Sequence, residues 1–281
     1  MIAVVGASGN VGRVVVRRLV ELGLCPRALT RSADRSAFGP GAEVVHADLD
    51  HPGTANRALA GATAAFIATA GPHAPAHDAA LADAVARHGV QDVVKVSSVA
   101  ALAPPAGPYG AAHAAAEDAY RRSGARCTVL RPAAFMSNAL QWSWSITAEN
   151  TVYQPFGTLR QAVVDPADVA EAAVQALTAP GHEADTYTLT GPQALSAHER
   201  TQLLAEALGR PLRFVDAPVE TARQAMTATG LPADYVDGLL LAQADADPRR
   251  GGLPLPTVTE LTGRAPGTFE EWVGAHLGDF A

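Results

Sequence analysis

The chain has 281 residues, 48% of them hydrophobic and 17% charged, with a formal net charge of −7 at pH 7. That supplies a core for one large domain, or a domain with an appendage, and excludes a wholly disordered chain. The acidic balance argues against a nucleic-acid partner. No apolar run reaches the roughly 20 residues of a membrane helix, and Cys25 and Cys127 form no CxxC pair, so neither a disulfide framework nor a cysteine metal site is expected.

The first apolar run begins at Ile2, which reads as leaving no room for a signal peptide and as a cytoplasmic protein. Runs at Ile2–Val5, Arg27–Thr30, Glu43–His46, Ala65–Ala68, Val93–Val96 and Cys127–Leu130 predict strands. Between them, Val11 to Leu22, His77 to Arg87 and Ala111 to Arg122 have helical spacing. The alternation predicts a parallel sheet built from right-handed crossovers, and the continuously apolar strands predict helices on both faces. Beyond about residue 135 the rhythm changes. A stretch rich in Trp, Ser and Asn, Asn138 to Asn150, is followed by Val163-Val164-Asp165-Pro166, a helix through Leu177 and a strand at Thr186–Leu189. The tail reads as mostly helical.

The strongest motif is Gly6-Ala7-Ser8-Gly9-Asn10-Val11-Gly12, directly after an apolar strand and opening an amphipathic helix. A dinucleotide site needs one glycine for a tight turn, one for approach of the pyrophosphate to the backbone and one for close helix–strand packing. Gly6, Ser8, Gly9, Asn10, Val11 and Gly12 are therefore expected to hold phosphate at the helix N-terminus. The second strand runs into Thr30-Arg31-Ser32, with no acid at 30–33. Arg31, assisted by Arg35, suits the 2′-phosphate of NADPH, where an acid would suit NAD. Asp48 and Leu49 follow the third strand, Asp48 reading either as an adenine contact or as a helix cap. Thr69, Ala70 and Gly71 follow the fourth and can pass under the cofactor ribose. The expected fold class is α/β, a Rossmann-type doubly wound parallel sheet with a smaller, mostly helical C-terminal substrate region. Residues 1–135 would form the NADP-binding core, and 136–281 the substrate-binding region with returning elements of the core.

Across nearly its whole length the chain resembles the NmrA-like branch of the atypical short-chain dehydrogenase/reductase family. The likeness is carried by the glycine turn, Thr30-Arg31, Val94-Lys95-Val96-Ser97-Ser98, His113 with Glu117, Leu130 to Asn138, Asp165 to Ala170 and Tyr187-Thr188-Leu189-Thr190-Gly191. It implies that Pro132, Ala133, Ala134 and Phe135 contact the nicotinamide end and that Ala134 to Asn138 lead into the substrate pocket.

Orthodox members of that family use a Ser with a Tyr-x-x-x-Lys. Here Ser97 closes the fifth strand, Tyr109 follows at a compatible distance, and His113 stands at the Lys position. Ser97, Tyr109 and His113 are the candidate catalytic residues. His113 reads equally as a helix residue hydrogen-bonded to cofactor hydroxyls, and Tyr109, between Pro108 and Gly110, as a surface aromatic at or before the helix start. An imidazole with an ordinary pKa near 6.5 could supply a proton near neutral pH. Trp142 and Trp144 with Phe135 and Met136 could line a pocket for a flat substrate, although core packing is the commoner use of such residues. Asp165 and Asp168 read as helix caps. His73 and His77 straddle a turn after the fourth strand without an accompanying cluster of acidic ligands, so no metal site is expected. The reading is an NADPH-dependent reductase of a ketone or quinone on a bulky hydrophobic molecule, such as an aromatic polyketide of the simocyclinone type. No nucleic-acid or membrane partner is expected, and the protein would be a monomer or homodimer. The alternative is an NADP-sensing regulator without turnover.

Overall fold

The computed structural model describes residues 1–31, 38–51, 53–103, 107–245, 247 and 250–281. Short apolar runs become strands β1 (Ile2–Val5), β2 (Arg27–Thr30), β3 (Glu43–His46), β4 (Ala64–Ile67), β5 (Asp92–Val96), β6 (Arg126–Pro132) and a strand at Thr186–Leu189. They form one seven-stranded sheet, with that last strand beside β6 and the order β3-β2-β1-β4-β5-β6 before it. Pairings from β3 to β6 are parallel, with registers such as Val4 beside Ala28 on one side and Phe66 on the other. This is the α/β Rossmann-type architecture expected from the strand–helix alternation.

The chain divides into two compact units. The first comprises Met1–Ala101, Ala111–Arg131 and Ala167–Tyr187. Helix α1 (Gly12–Glu21) buries the stripe Gly12, Val15, Val16 and Leu19. Helices α2 (Thr54–Ala58) and α3 (Ala74–His88) add Ala55, Ala58, Leu81 and Val85 to a core shared with Val5, Ile67, Val93 and Val129. Helix α4 (Pro108–Arg122) brings Tyr120 into the same cluster. It starts before Tyr109, so that residue lies inside the first turn and not ahead of it; Pro108 suits a first helical position because its missing N–H has no partner to lose there.

The second unit comprises Leu102–Gly110, Pro132–Pro166 and Thr188–Ala281. The stretch expected as an irregular break is a 3-10 segment, Met136–Trp142, leading into helix α5 (Ser143–Glu149), which Asn150 closes in a left-handed conformation. Strands β7 (Thr151–Gln154) and the later Arg213–Asp216, with the sheet strand Thr186–Leu189 between them in sequence, become β7, β9 and β8. β7 and β9 pair parallel as a separate two-stranded sheet, which the sequence did not announce because both are short and partly exposed. Helix α6 (Pro166–Thr178) returns the chain to the first unit, and α7 (Ala197–Leu208), α8 (Val219–Ala228), α9 (Ala233–Gln243), α10 (Thr257–Thr262) and α11 (Phe269–His276) belong to the second. α7 and α11 each open with a capping box, Ser196 with Glu199 and Thr268 with Glu271. The core here gathers Met136, Trp142, Ile146, Val152, Leu204, Phe269, Trp272 and Phe280.

Candidate cofactor and active site

Strand order reverses between β1 and β4. In open α/β sheets, the loops at the carboxyl ends of the strands beside such a reversal bound the nucleotide crevice. The glycine turn leaves β1 at this place. Each glycine has its own physical reason. Gly6 sits at φ 80°, and a Cβ there would lie 2.4 Å from the Ala68 carbonyl oxygen at the exit of β4. Gly12 is pressed so closely on the turn that a Cβ would lie 2.1 Å from the Gly6 carbonyl oxygen. Gly9 differs: it is exposed, its φ is ordinary, and a Cβ would meet only the Gly6 oxygen at 3.2 Å. The fold thus demands Gly6 and Gly12, while the demand at Gly9 fits an approaching ligand. Ser8, Gly9 and Asn10 form the exposed tip, and Val11 and Gly12 are buried at the helix start. No side chain of Val11 caps α1, and no acid lies in its first turn, so the positive end of the helix dipole is not neutralised from within. These features fit a dinucleotide pyrophosphate.

Neighbouring strand ends carry the other candidates of this unit. Arg31 is exposed immediately after β2; Arg35 lies outside the described residues. Asp48 and Leu49 are half-buried after β3. The Asp48 carboxylate accepts the Asp50 N–H at 3.1 Å and faces His51 Nδ1 at 2.9 Å, which makes it a turn former. It caps no helix, since α2 is preceded by Gly53. Thr69, Ala70 and Gly71 follow β4, with Gly71 at φ 84°.

The Thr69 hydroxyl faces inward to a cluster that the sequence reading missed. Lys95, at 0% exposure in the middle of β5, donates to Thr69 Oγ1 at 2.8 Å and to both Asp78 oxygens at 2.8 and 3.1 Å. Thr69 and Tyr120 each donate back to Asp78, at 2.8 and 2.9 Å. Every proton of the ammonium has an acceptor, as a buried charge requires. The available signal was a lysine inside an apolar strand. Burial pulls the Lys95 pKa down against the opposing pull of Asp78, and lifts the Tyr120 phenol well above its usual value.

Ser97 is buried and donates to Glu117 Oε1 at 2.6 Å. Arg131 grips the same carboxylate in two-pronged fashion, Nε to Oε1 at 2.8 Å and Nη2 to Oε2 at 2.5 Å. Burial works to raise the Glu117 pKa, but the bonds from Arg131 and Ser97 outweigh it and hold the carboxyl below its usual range. The Ser97 proton is therefore committed to Glu117, so the carboxylate on α4 ties the exit of β5 to Arg131 on β6. His113, half-buried one turn before Glu117, is pushed down by burial, and then by the Lys95 charge, to a pKa of about 4. That shift favours the neutral imidazole at physiological pH over the protonated form.

In the second unit, Tyr109 packs edge-on against Tyr235 with centroids 6.1 Å apart, and its Cβ stands where a side chain on Gly238 of α9 would fall. Pro132 is the last residue of β6. Ala133 N–H donates to Leu189 O at 2.8 Å, and Ala134 and Met136 exchange backbone bonds with Val164, flanking a bridge at Phe135. Pro132, Ala133, Ala134 and Phe135 are thus held on a fixed backbone track. Met136 and Trp142 belong to the core and Trp144 is 74% exposed, so these residues do not form the joint aromatic wall expected for a flat substrate. Asp168 lies in the first turn of α6, where a negative charge suits the helix dipole. Arg200 on α7 is buried, 5.3 Å above the Trp142 ring, and its Nε–H finds no acceptor among the described residues.

A sequence family described as NAD(P)H-binding matches residues 6–180. The chain belongs to this NAD(P)H-binding family. It is 40% identical, over 100% of its length and 99% of the relative's, to the (4-alkanoyl-5-oxo-2,5-dihydrofuran-3-yl)methyl phosphate reductase of Streptomyces griseus. Among solved structures, the NADPH complex of the Escherichia coli quinone oxidoreductase QOR2 matches with a TM-score of 0.81 at 23% identity, covering 99% of this chain and all of that one. NmrA, a negative transcriptional regulator solved with NADP, shares the fold at a TM-score of 0.74 and 21% identity, covering 97% of this chain and 94% of its own. The NmrA-like fold expected from the sequence is therefore the one this NAD(P)H-binding protein has. Among the described residues, no helix is long and apolar enough to cross a membrane.

Proposed function

We propose that this NAD(P)H-dependent oxidoreductase uses NADPH to reduce an electron-poor, conjugated carbonyl, a quinone or an enone-type ketone, on a substrate that carries an anionic substituent. The observation that carries the reading is the state of α4: Tyr109 is followed one turn later by a neutral His113 instead of a lysine, while the nearby Lys95 is locked to Asp78. A neutral imidazole can donate a hydrogen bond but is a weak acid. That equipment suits an acceptor that spreads its new negative charge by resonance better than one that must form an isolated alkoxide.

When bound, the reduced nicotinamide supplies the hydride, and the protein supplies position and electrostatics. Gly6, Ser8, Gly9, Asn10, Val11 and Gly12 at the start of α1 would hold the pyrophosphate. Arg31 and Arg35 would take the 2′-phosphate, Asp48 and Leu49 would flank the adenine, and Thr69 to Gly71 the ribose. Pro132, Ala133, Ala134 and Phe135 would bound the nicotinamide end. Ser97 positions Arg131 through Glu117, and His113 and Tyr109 offer hydrogen bonds to the acceptor. In this reading residues 1–135 serve the cofactor and 136–281 the substrate.

Arg200 supports the anionic substituent, because a buried guanidinium without a counter-charge is costly unless a ligand completes it. The Streptomyces griseus relative points the same way: the molecule in its name carries a phosphate and two carbonyls conjugated to one ring double bond. The test is loss of nicotinamide absorbance with quinones, phosphorylated enones and simple aliphatic ketones. Turnover should follow conjugation, and Tyr109→Phe should retain most of it. Turnover of aliphatic ketones but not quinones or enones would overturn the acceptor class, and tight NADPH binding with no turnover would favour the regulatory alternative.

A further inference from the structure

We propose that Asp50, His73 and His77 form a binding site for a divalent transition-metal ion of the zinc type at the carboxyl edge of the sheet in the first unit. His73 is the residue that precedes α3, and His77 lies one turn along, so helical spacing sets the two imidazoles on one side. Asp50 comes from the turn after β3, which Asp48 fixes by accepting the Asp50 N–H. One oxygen, Asp50 Oδ1, lies 3.0 Å from His73 Nδ1 and 2.8 Å from His77 Nε2. The ligating atoms of all three residues fall within 4.8 Å of one another.

Metal–nitrogen and metal–oxygen bonds of about 2.0–2.2 Å place neighbouring ligand atoms roughly 3.0–3.4 Å apart in octahedral or tetrahedral arrangements. The two oxygen–nitrogen spacings need only a slight opening of the hydrogen bonds, and the two imidazole nitrogens, within 4.8 Å of each other, would close onto the same ion. The rings stand nearly perpendicular, at 85°, which lets two nitrogens converge on one point without stacking. Side-chain exposures of 68% for His73, 43% for Asp50 and 17% for His77 leave an ion a path from solvent and room for water in the remaining positions. Two imidazoles with one carboxylate select zinc, cobalt or nickel over magnesium or calcium, which prefer oxygen donors. The sequence hid this site because its carboxylate lies 23 residues before the first histidine. An ion here would fasten the β3 exit turn to the start of α3, segments that the Asp50 contacts with His73 and His77 already join.

The test uses the untagged full chain, stripped with a chelator and titrated with Co²⁺ while the visible spectrum and the heat of binding are recorded. One equivalent should bind with a visible absorption band, Zn²⁺ should displace it, and Zn²⁺ should raise the melting temperature. Asp50→Asn, His73→Ala and His77→Ala should each weaken binding roughly tenfold or more. These positions lie near the surface, and circular dichroism verifies folding of each variant. His51→Ala, at the adjacent His51–Asp48 pair, should leave binding unchanged. Absence of a Co²⁺ band, binding that survives the three substitutions, or binding abolished by His51→Ala would each overturn the proposal. None of these readouts depends on reductase activity, so failure here is distinct from failure of the proposed function.

Discussion

Replacing Arg200 with methionine should make the protein more stable, contrary to the usual outcome of a core substitution. Burial alone pulls the Arg200 pKa from 12.5 to about 10, with no opposing contribution from an acid. That corresponds to about 3 kcal/mol against the charged form. Stacking over Trp142 returns about 1–2 kcal/mol. A net cost of about 1–2 kcal/mol remains, and methionine removes it while retaining an unbranched apolar stem in the same space. For a chain of this size each kcal/mol moves the melting temperature by about 2–4 °C, so Arg200→Met should melt roughly 2–8 °C higher in buffer free of phosphate and sulfate. The assay is thermal unfolding followed by circular dichroism, repeated with added phosphate. Phosphate should stabilise the unmodified protein and leave the variant unmoved. A variant that melts lower than the parent in both conditions would show that Arg200 serves packing and that the counter-charge argument is wrong.

Gly9→Val should abolish NADPH binding, read by fluorescence titration, with the melting temperature nearly unchanged, whereas Gly12→Ala should lower the melting temperature because its Cβ has no room against the Gly6 carbonyl. Arg31→Ala should weaken NADPH far more than NADH; equal weakening would remove Arg31 from the 2′-phosphate. Because the folded pKa of His113, about 4, lies below its ordinary 6.5, the unfolded chain takes up the extra proton between those values. The contribution of His113 is therefore complete above pH 6.5 and is lost as pH falls toward 4, by at most about 3 kcal/mol. Urea unfolding at stepped pH should show His113→Gln with a shallower loss than the parent over that window.

The first half of the fold was legible because β1, β2, β4 and β5 are almost wholly buried and its glycines report backbone geometry directly. Gly6 and Gly12 carry steric demands written into the residue type. β7 and β9 were not legible, since four-residue strands with exposed positions lack a distinctive period. The candidate site was legible where function depends on backbone and obscure where it depends on distant side chains meeting. Ser97 and His113 were visible as residue types, but the proton of Ser97 belongs to Glu117, and the charge state of His113 depends on burial and on Lys95. Asp78 reaches Lys95 from 17 positions away, a partnership with no local mark.

The chain passes from one compact unit to the other five times, so no single cut in the sequence separates them. A fragment ending near residue 135 would keep the glycine turn but lose β8, which lies beside β6, and the α6 segment that belongs to the first unit. The outer edge of β6 would then stand open as a template for another chain. During synthesis the same arrangement postpones completion: the first unit waits for Tyr187 to emerge, and the second for the final helix. Expression of the nucleotide-binding half alone should therefore give aggregated material, and a soluble fragment must extend at least through the end of β8 at Leu189.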